Sequence, residues 1–267
     1  MLAGLSFTDD QIVRYTRHII LPGVGSSGQK KINAGRALLI GAGGLGSPVA
    51  YYLAAAGVGT LGIIDDDVVD LSNLQRQILY FTADVGKSKA VSAREKLTAL
   101  NPDCTVVAYQ ERLTASNVME IIKEYDVVVD CTDNFSTRFL ANDACVMAKK
   151  PLFHGAVLQF LGHVLTVLPG EGPCYRCVFQ VPPPGFTQTC SQVGLLGVLP
   201  GTIGLIQATE VLKYFLGIGD LLVGKMLTYN ALSMEFSKFD VRKKPDCPVC
   251  GINQTHIKME DCEQKVL

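Results

Sequence analysis

The segment "GAGGLGSPVA", Gly41 to Ala50, constrains this chain more than any other. Its glycines at 41, 43 and 46 follow the apolar run "ALLI". A glycine-rich turn between a buried strand and a helix leaves a helix N-terminus open to phosphate, the corner on which a Rossmann unit is built. In such a unit an acidic residue at the end of the second strand binds ribose hydroxyls, and Asp65 in "LGIIDDD" fills that place. These two features alone fit a NAD(P)-dependent oxidoreductase as well as an ATP-using enzyme.

The surrounding pattern extends the reading to a fold class. Apolar strands at 36–41, 60–65, 104–109 and 126–130 alternate with helical patterns at 45–57, 87–100, 115–124 and 135–149. Near-continuous apolar strands separated by helices indicate an α/β fold, a mostly parallel sheet covered on both faces. In "KKPLFHGAVLQFLGHVLTVLP" the strands follow one another through short turns, so an antiparallel extension of the same sheet is expected. A Pro/Gly/Gln-rich crossover follows, then a helix over 202–216 and two more strands, "KMLTYNAL" and "EFSKFDV". The expected organisation is one domain over 1–267. It has N-terminal helices at 8–35, a nucleotide-binding core at 36–168, a crossover loop at 169–192, a C-terminal part at 193–250 and a polar tail at 251–267. Thr8 is the expected N-cap of the first helix, with Asp9 and Asp10 in its first turn and Pro22 ending it.

Bulk properties exclude several classes. A formal net charge of -1 argues against nucleic-acid binding, and no apolar stretch approaches the roughly 20 residues of a membrane span. The start of the chain lacks the cationic and small-residue features of a secretory signal, so a cytoplasmic protein is expected.

Polar residues past the glycine turn separate the two nucleotide readings. "DLSNLQRQ" supplies Asn73 and Arg76, "VGKSKA" supplies Lys89, and "VVVDCTDN" supplies Asp130 and Asp133. A hydride-transfer site packs an apolar nicotinamide face, whereas cations and a strand-end carboxylate suit a triphosphate with Mg2+. The same set would promote attack of a carboxylate on an α-phosphate with loss of pyrophosphate, which is adenylation.

"RYTRHIILP", "GAGGLGSPVAYYLAAAGVGTLGIIDDDVVDLSNLQRQ", "VGKSKA", "DCTDN" and "CYRC…CPVC", in this order, resemble the MoeB/ThiF/HesA family of ubiquitin-like-protein-activating enzymes over nearly the whole chain. The resemblance implies a homodimer that binds ATP and Mg2+ and adenylates the C-terminal Gly-Gly carboxylate of a ubiquitin-like sulfur carrier protein. Carried over by position, Gly41, Gly43, Gly44, Asp65, Asn73, Arg76, Lys89 and Asp133 would bind nucleotide or Mg2+. Arg17 of "RYTR" would reach the γ-phosphate of the partner subunit's ATP. The chain ends soon after "CPVC", short of the about 100 residues or more of a rhodanese domain. Sulfur is therefore expected from a separate donor, a cysteine desulfurase or rhodanese-type protein. Besides the oxidoreductase, a family member adenylating some other carboxylate stays open.

Cys174 and Cys177 in "CYRC" and Cys247 and Cys250 in "CPVC" are two knuckles with 69 residues between them. Four such thiolates match a closed tetrahedral Zn2+ site, and a redox pair is the other reading of either half. The ligand tally together with the family resemblance favours structural zinc. Cys190 precedes a helical run, where a thiolate is favoured, and the resemblance implies a covalent or sulfur-transfer part for it in some relatives. Cys104, Cys131 and Cys145 read as small buried hydrophobes, and the four histidines receive no chemistry.

Overall fold

In the computed structural model, the described residues are 7–180, 194–252 and 259. They open with α1 (Asp9–Ile19), capped as expected: Thr8 Oγ1 accepts from the Gln11 N–H at 3.2 Å, and the Gln11 side chain returns a bond to the Thr8 N–H. Tyr15 is the buried residue of this helix, which is also tied down by Arg14 donating to the Leu100 carbonyl and by His18 meeting Gln29. Val13 is 75% exposed, while Tyr15 is buried and its hydroxyl donates to Asp103 and accepts from Asn101. Helix α2 (Gly25–Ala34) then leads into the sheet.

Strands β1 (Arg36–Ile40), β2 (Thr60–Ile64), β3 (Thr105–Tyr109), β4 (Val127–Asp130), β5 (Leu152–Leu158), β6 (Leu161–Val167), β7 (Lys225–Asn230) and β8 (Glu235–Asp240) form one sheet in the order β3-β2-β1-β4-β5-β6-β7-β8. The first five are parallel, and β5 then folds back on β6 to begin the antiparallel half. The period-2 alternation of a strand sends its side chains to two separate cores. Ala37, Leu39, Val127 and Val129 pack with α3 (Gly46–Ala55) and α8 (Leu199–Leu216). Leu38, Ile40 and Val128 pack with α5 (Val118–Ile122), α6 (Phe135–Ala148) and the four knuckle cysteines. The fourth parallel-half helix, α4 (Lys89–Leu100), lies against β3. Short α7 (Tyr175–Val178) carries the first knuckle.

Two boundaries differ from the sequence reading for identifiable reasons. Helix α8 begins at Leu199, three residues before the expected start, because Pro200 falls in its first turn, where no intrahelical N–H is required. It ends at Gly217, whose φ of +70° supports the left-handed cap that the helix needs. The crossover is also more ordered at its beginning than its composition suggests, since α7 lies within it. Cysteines 104, 131 and 145 are buried, and no helix among the described residues is long and apolar enough to cross a membrane.

Candidate active site

Strand order reverses between β1 and β4, and a cleft of about 340 Å³ opens at the carboxyl ends of β1, β2 and β4. The glycine turn forms its floor. Gly41 has φ +92°, and a Cβ there would stand 3.0 Å from the Cys131 carbonyl oxygen. At Gly46 a Cβ would come within 2.1 Å of the Gly41 carbonyl oxygen, so this glycine permits the tight turn itself. Gly43 is different: the nearest atom to its added Cβ is Gln77 Nε2 at 3.6 Å, so the protein's own packing leaves room there. No side chain caps α3, so the positive end of that helix dipole faces the turn without a carboxylate or hydroxyl of its own. The Tyr80 hydroxyl ties the loop down from outside by donating to Ala42 O at 2.8 Å.

Charged side chains converge on this floor. Asp65 Oδ2 accepts from the Ala42 N–H at 2.7 Å and Oδ1 from the Asp67 N–H at 2.9 Å. Burial raises its pKa, against the opposing charge of Lys89. Lys89, the first residue of α4, is buried and its ammonium meets the exposed Asp67 carboxylate at 2.7 Å. Arg76 follows the 3-10 turn Leu71–Asn73 and donates to the Ser72 carbonyl at 3.0 Å. Asp133 stands exposed just past β4. Gly41, Gly43, Gly44, Asp65, Arg76, Lys89 and Asp133 thus line one cleft.

Two expected residues lie elsewhere, and a third is not among the described residues. Asn73 is not on the cleft wall; its Oδ1 accepts from the Asp70 N–H at 3.3 Å, closing the turn from which Arg76 extends. Arg17 is exposed beside Arg14 and Tyr52 at a separate hollow of about 200 Å³, so it does not enter the cleft of its own chain. Cys190 falls outside the described residues.

A second cavity, of about 540 Å³, adjoins the cleft and shares Asp133, Arg138 and Val157 with it. Its walls are largely apolar, with Phe135, Leu161, Phe179 and Tyr229 among them. It also holds chemistry that the sequence reading missed. Asp130 Oδ1 accepts from the N–H and hydroxyl of Thr132, and Oδ2 faces His154 Nδ1 at 2.7 Å. His154 Nε2 in turn lies 3.2 Å from His163 Nε2, and His163 reaches the groove wall. Burial works against the charged carboxyl of Asp130, yet the bonds from His154 and Thr132 and the Arg138 charge hold it below the usual range. Burial lowers His154 below the usual imidazole range and takes His163 down to about 3. Two neutral rings beside an ionised carboxylate admit one arrangement of protons. His154 carries its proton on Nδ1, and His163 donates from Nε2 to the bare Nε2 of His154. The signal was present in the hairpin register. His154 pairs with Leu165 and His163 with Ala156, which makes the two histidines diagonal neighbours on one face.

The first knuckle adjoins the groove through Tyr175. Cys174 Sγ lies 3.6 Å from Cys247 Sγ, Cys177 Sγ lies 3.4 Å from Cys250 Sγ, and all four sulfurs fall within 4.8 Å of one another. Zinc–thiolate bonds of about 2.3 Å give tetrahedral sulfur–sulfur edges of about 3.8 Å, so the four buried thiols fit a closed zinc site with no open position. Burial and neighbouring thiols raise Cys174 and push Cys250 up to about 11, while, against its own burial, Cys247 is lowered by the Cys250 and Val249 N–H groups and the neighbouring thiols. Between the first two cysteines, Tyr175 packs on His154 with ring centroids 4.8 Å apart. The Tyr175 N–H donates to Asn142 Oδ1, and Arg176 grips Asp143 through two parallel bonds, so the knuckle is anchored on α6.

Comparison with known proteins agrees with this arrangement. The chain is 49% identical over 265 residues to the sulfur carrier protein adenylyltransferase of Thermus thermophilus, covering 97% of this chain and 98% of that protein. It is 50% identical to the SAMP-activating enzyme E1 of Haloferax volcanii, covering 92% of each. The adenylyltransferase and sulfurtransferase MOCS3 of Sus scrofa is 44% identical over 97% of this chain, which spans 57% of that longer protein. Among solved structures, E. coli MccB with ATP shares the fold, with a TM-score of 0.78 at 23% identity over 89% of this chain and 74% of that one. The ThiF family model matches residues 15–249, taking in the glycine turn, both walls of the cleft and three of the four knuckle cysteines, and the chain therefore belongs to the ThiF family.

Proposed function

We propose that this adenylyltransferase uses ATP and Mg2+ to activate the C-terminal Gly-Gly carboxylate of a ubiquitin-fold sulfur carrier, releasing pyrophosphate and leaving a carrier acyl-adenylate ready for conversion to a thiocarboxylate. One observation carries the reading: the phosphate-type cleft runs into an apolar groove through the shared residues Asp133, Arg138 and Val157. A nucleotide and an extended tail can therefore meet at that junction.

The phosphates would sit over the Gly43 space and the α3 N-terminus, with Asp65 toward the ribose. The tail carboxylate attacks the α-phosphorus, the α–β bridging bond breaks, and pyrophosphate leaves. No general base is required, because the attacking carboxyl is ionised at neutral pH. Arg76 and Lys89 neutralise charge moving toward the leaving group, Lys89 exchanging its exposed Asp67 partner for phosphate oxygen. Asp133 would hold Mg2+, which supplies further charge neutralisation at the phosphates. In the proposed homodimer, Arg17 of a second copy completes the γ-phosphate site, consistent with its distance from the cleft of its own chain.

The carrier body would rest on the antiparallel half, where Leu161, Met234 and Phe236 are exposed at the end of the groove. Zinc bound by the two knuckles would be structural, and the sulfur donor a separate cysteine desulfurase or rhodanese-type protein. Carrier-dependent exchange of labelled pyrophosphate into ATP tests the reading. Exchange that requires a Gly-Gly carrier supports it; tight NAD binding without ATP binding overturns it, and exchange driven by another carboxylate alone replaces the substrate. Cys190→Ala should retain exchange, separating adenylation from any later sulfur step.

A further inference from the structure

We infer that Arg138 is the residue that receives the terminal carboxylate of the incoming tail and delivers it to the nucleotide. This rests on the adenylation reading above and goes one step deeper into the same site.

Arg138 arises from the second turn of α6 and is only 8% exposed, yet it lines both cavities. Its Nη2 donates to the Thr132 carbonyl at 2.8 Å and its guanidinium lies 5.4 Å from the centre of the Phe135 ring. Its Nε is buried with no hydrogen-bond partner. Among the described residues no carboxylate comes within ion-pair distance of it. A buried cation that makes no direct ion pair is costly, and its burial is better tolerated where an anion arrives from outside.

The protein's own carboxylates are kept away from this role. Asp130 is the buried acid of this neighbourhood, and Thr132 and His154 engage both of its oxygens, His154 being backed by His163. Another buried acid of α6, Asp143, is held by Arg176 through two bonds. Arg138 thus feels the Asp130 charge only at a distance and makes no direct ion pair among the described residues, which leaves its fork without a carboxylate partner at the place where groove meets cleft. A planar carboxylate matches that fork, and a tail entering through the apolar groove presents one at its end.

The test is an equilibrium double comparison on the whole protein without ATP. Binding is measured for two forms of a Gly-Gly carrier that supports exchange, one ending in the carboxylate and one in the carboxamide, against wild type, Arg138→Gln and Arg138→Lys. Wild type should prefer the carboxylate form by tenfold or more. R138Q should lose most of that preference, and R138K should keep part of it while retaining the positive charge. ATP affinity should stay within about twofold in each variant. Zinc content and melting temperature report folding, and R138K alone decides the question if R138Q does not fold.

An unchanged preference in the variants overturns the assignment. So does a loss of ATP affinity as large as the loss of carrier affinity, which would make Arg138 a phosphate ligand. Wild type that shows no exchange with any Gly-Gly carrier overturns the adenylation reading and this assignment with it. Exchange in wild type combined with an unchanged preference in the variants overturns the assignment alone.

Discussion

The cleft and the groove share three residues and are built in opposite ways. The cleft is made of backbone: one left-handed glycine, one glycine pressed against a carbonyl, an uncapped helix end, and cations placed shortly after a 3-10 turn and at a helix start. The groove is made of side chains brought from β5, β6, α6, α7, β7 and β8, held by a buried acid–histidine chain and a cysteine cluster. A backbone site depends on its glycines for different reasons, Gly46 for the turn itself and Gly43 for the room it leaves. A side-chain site depends on distant packing, so it can be lost by disturbing residues that never touch the ligand.

The largest separation should come from two neighbouring glycines. Gly46→Ala drives a methyl group into the Gly41 carbonyl and should prevent a folded cleft from forming, seen as loss of cooperative unfolding or of soluble protein. Gly43→Ala meets only ordinary contact at 3.6 Å, so the melting temperature should hold while ATP affinity falls, measured by calorimetry. Equal damage from both would mean that Gly43 is structural rather than open for phosphate.

Next in size, Arg76→Ala or Asp133→Ala should each reduce carrier-dependent pyrophosphate exchange by about 10²–10³-fold, the range for removing one group that stabilises a transition state. Zinc content and thermal midpoint should be unchanged. Full activity in either variant removes that residue from the site.

The groove is sharpened by breaking the knuckle. Cys250→Ser, or metal removal from the wild type, should loosen the anchoring of Tyr175 on α6 and lower the thermal midpoint by about 5–10 °C. Carrier binding should weaken more than ATP binding, which is read by measuring both affinities on the same preparation. Equal loss at both sites would show that the two regions are one cooperative unit.

The most gradual effect is a pH slope. His154 and His163 bind protons less readily folded than unfolded, so the unfolded chain takes them up first as pH falls. Stability should be complete above about pH 6.5 and decline toward pH 3, by up to about 1.4 kcal/mol per pH unit for each proton. His163→Gln should flatten that decline, measured as thermal midpoint against pH. A slope that steepens above pH 7 instead would place the proton on the opposite side of the linkage.

This contrast also explains what could be read from the chain. The places of Gly41, Asp65 and Lys89 on one cleft were legible because turn geometry, strand-end position and helix-start position are local properties of the sequence. The apolar runs of β1, β2 and β4 were legible because burial on both faces leaves no alternation to misread. Asn73 was assigned with its motif, and its side chain accepts a bond within the turn that presents Arg76, a contact the motif did not announce. Arg138 and the His154–His163 pair were not found. Their meaning depends on the β5–β6 register and on which cavities α6 faces, and neither follows from composition or local period.

The central claim is that nucleotide in the backbone-built cleft meets a carboxylate entering through the groove. Its most direct measurement is the intact mass of a Gly-Gly carrier after incubation with the enzyme, ATP and Mg2+ in the absence of any sulfur donor. The account predicts a carrier heavier by AMP less one water, with pyrophosphate released alongside it. An unmodified carrier accompanied by ADP and phosphate would contradict it.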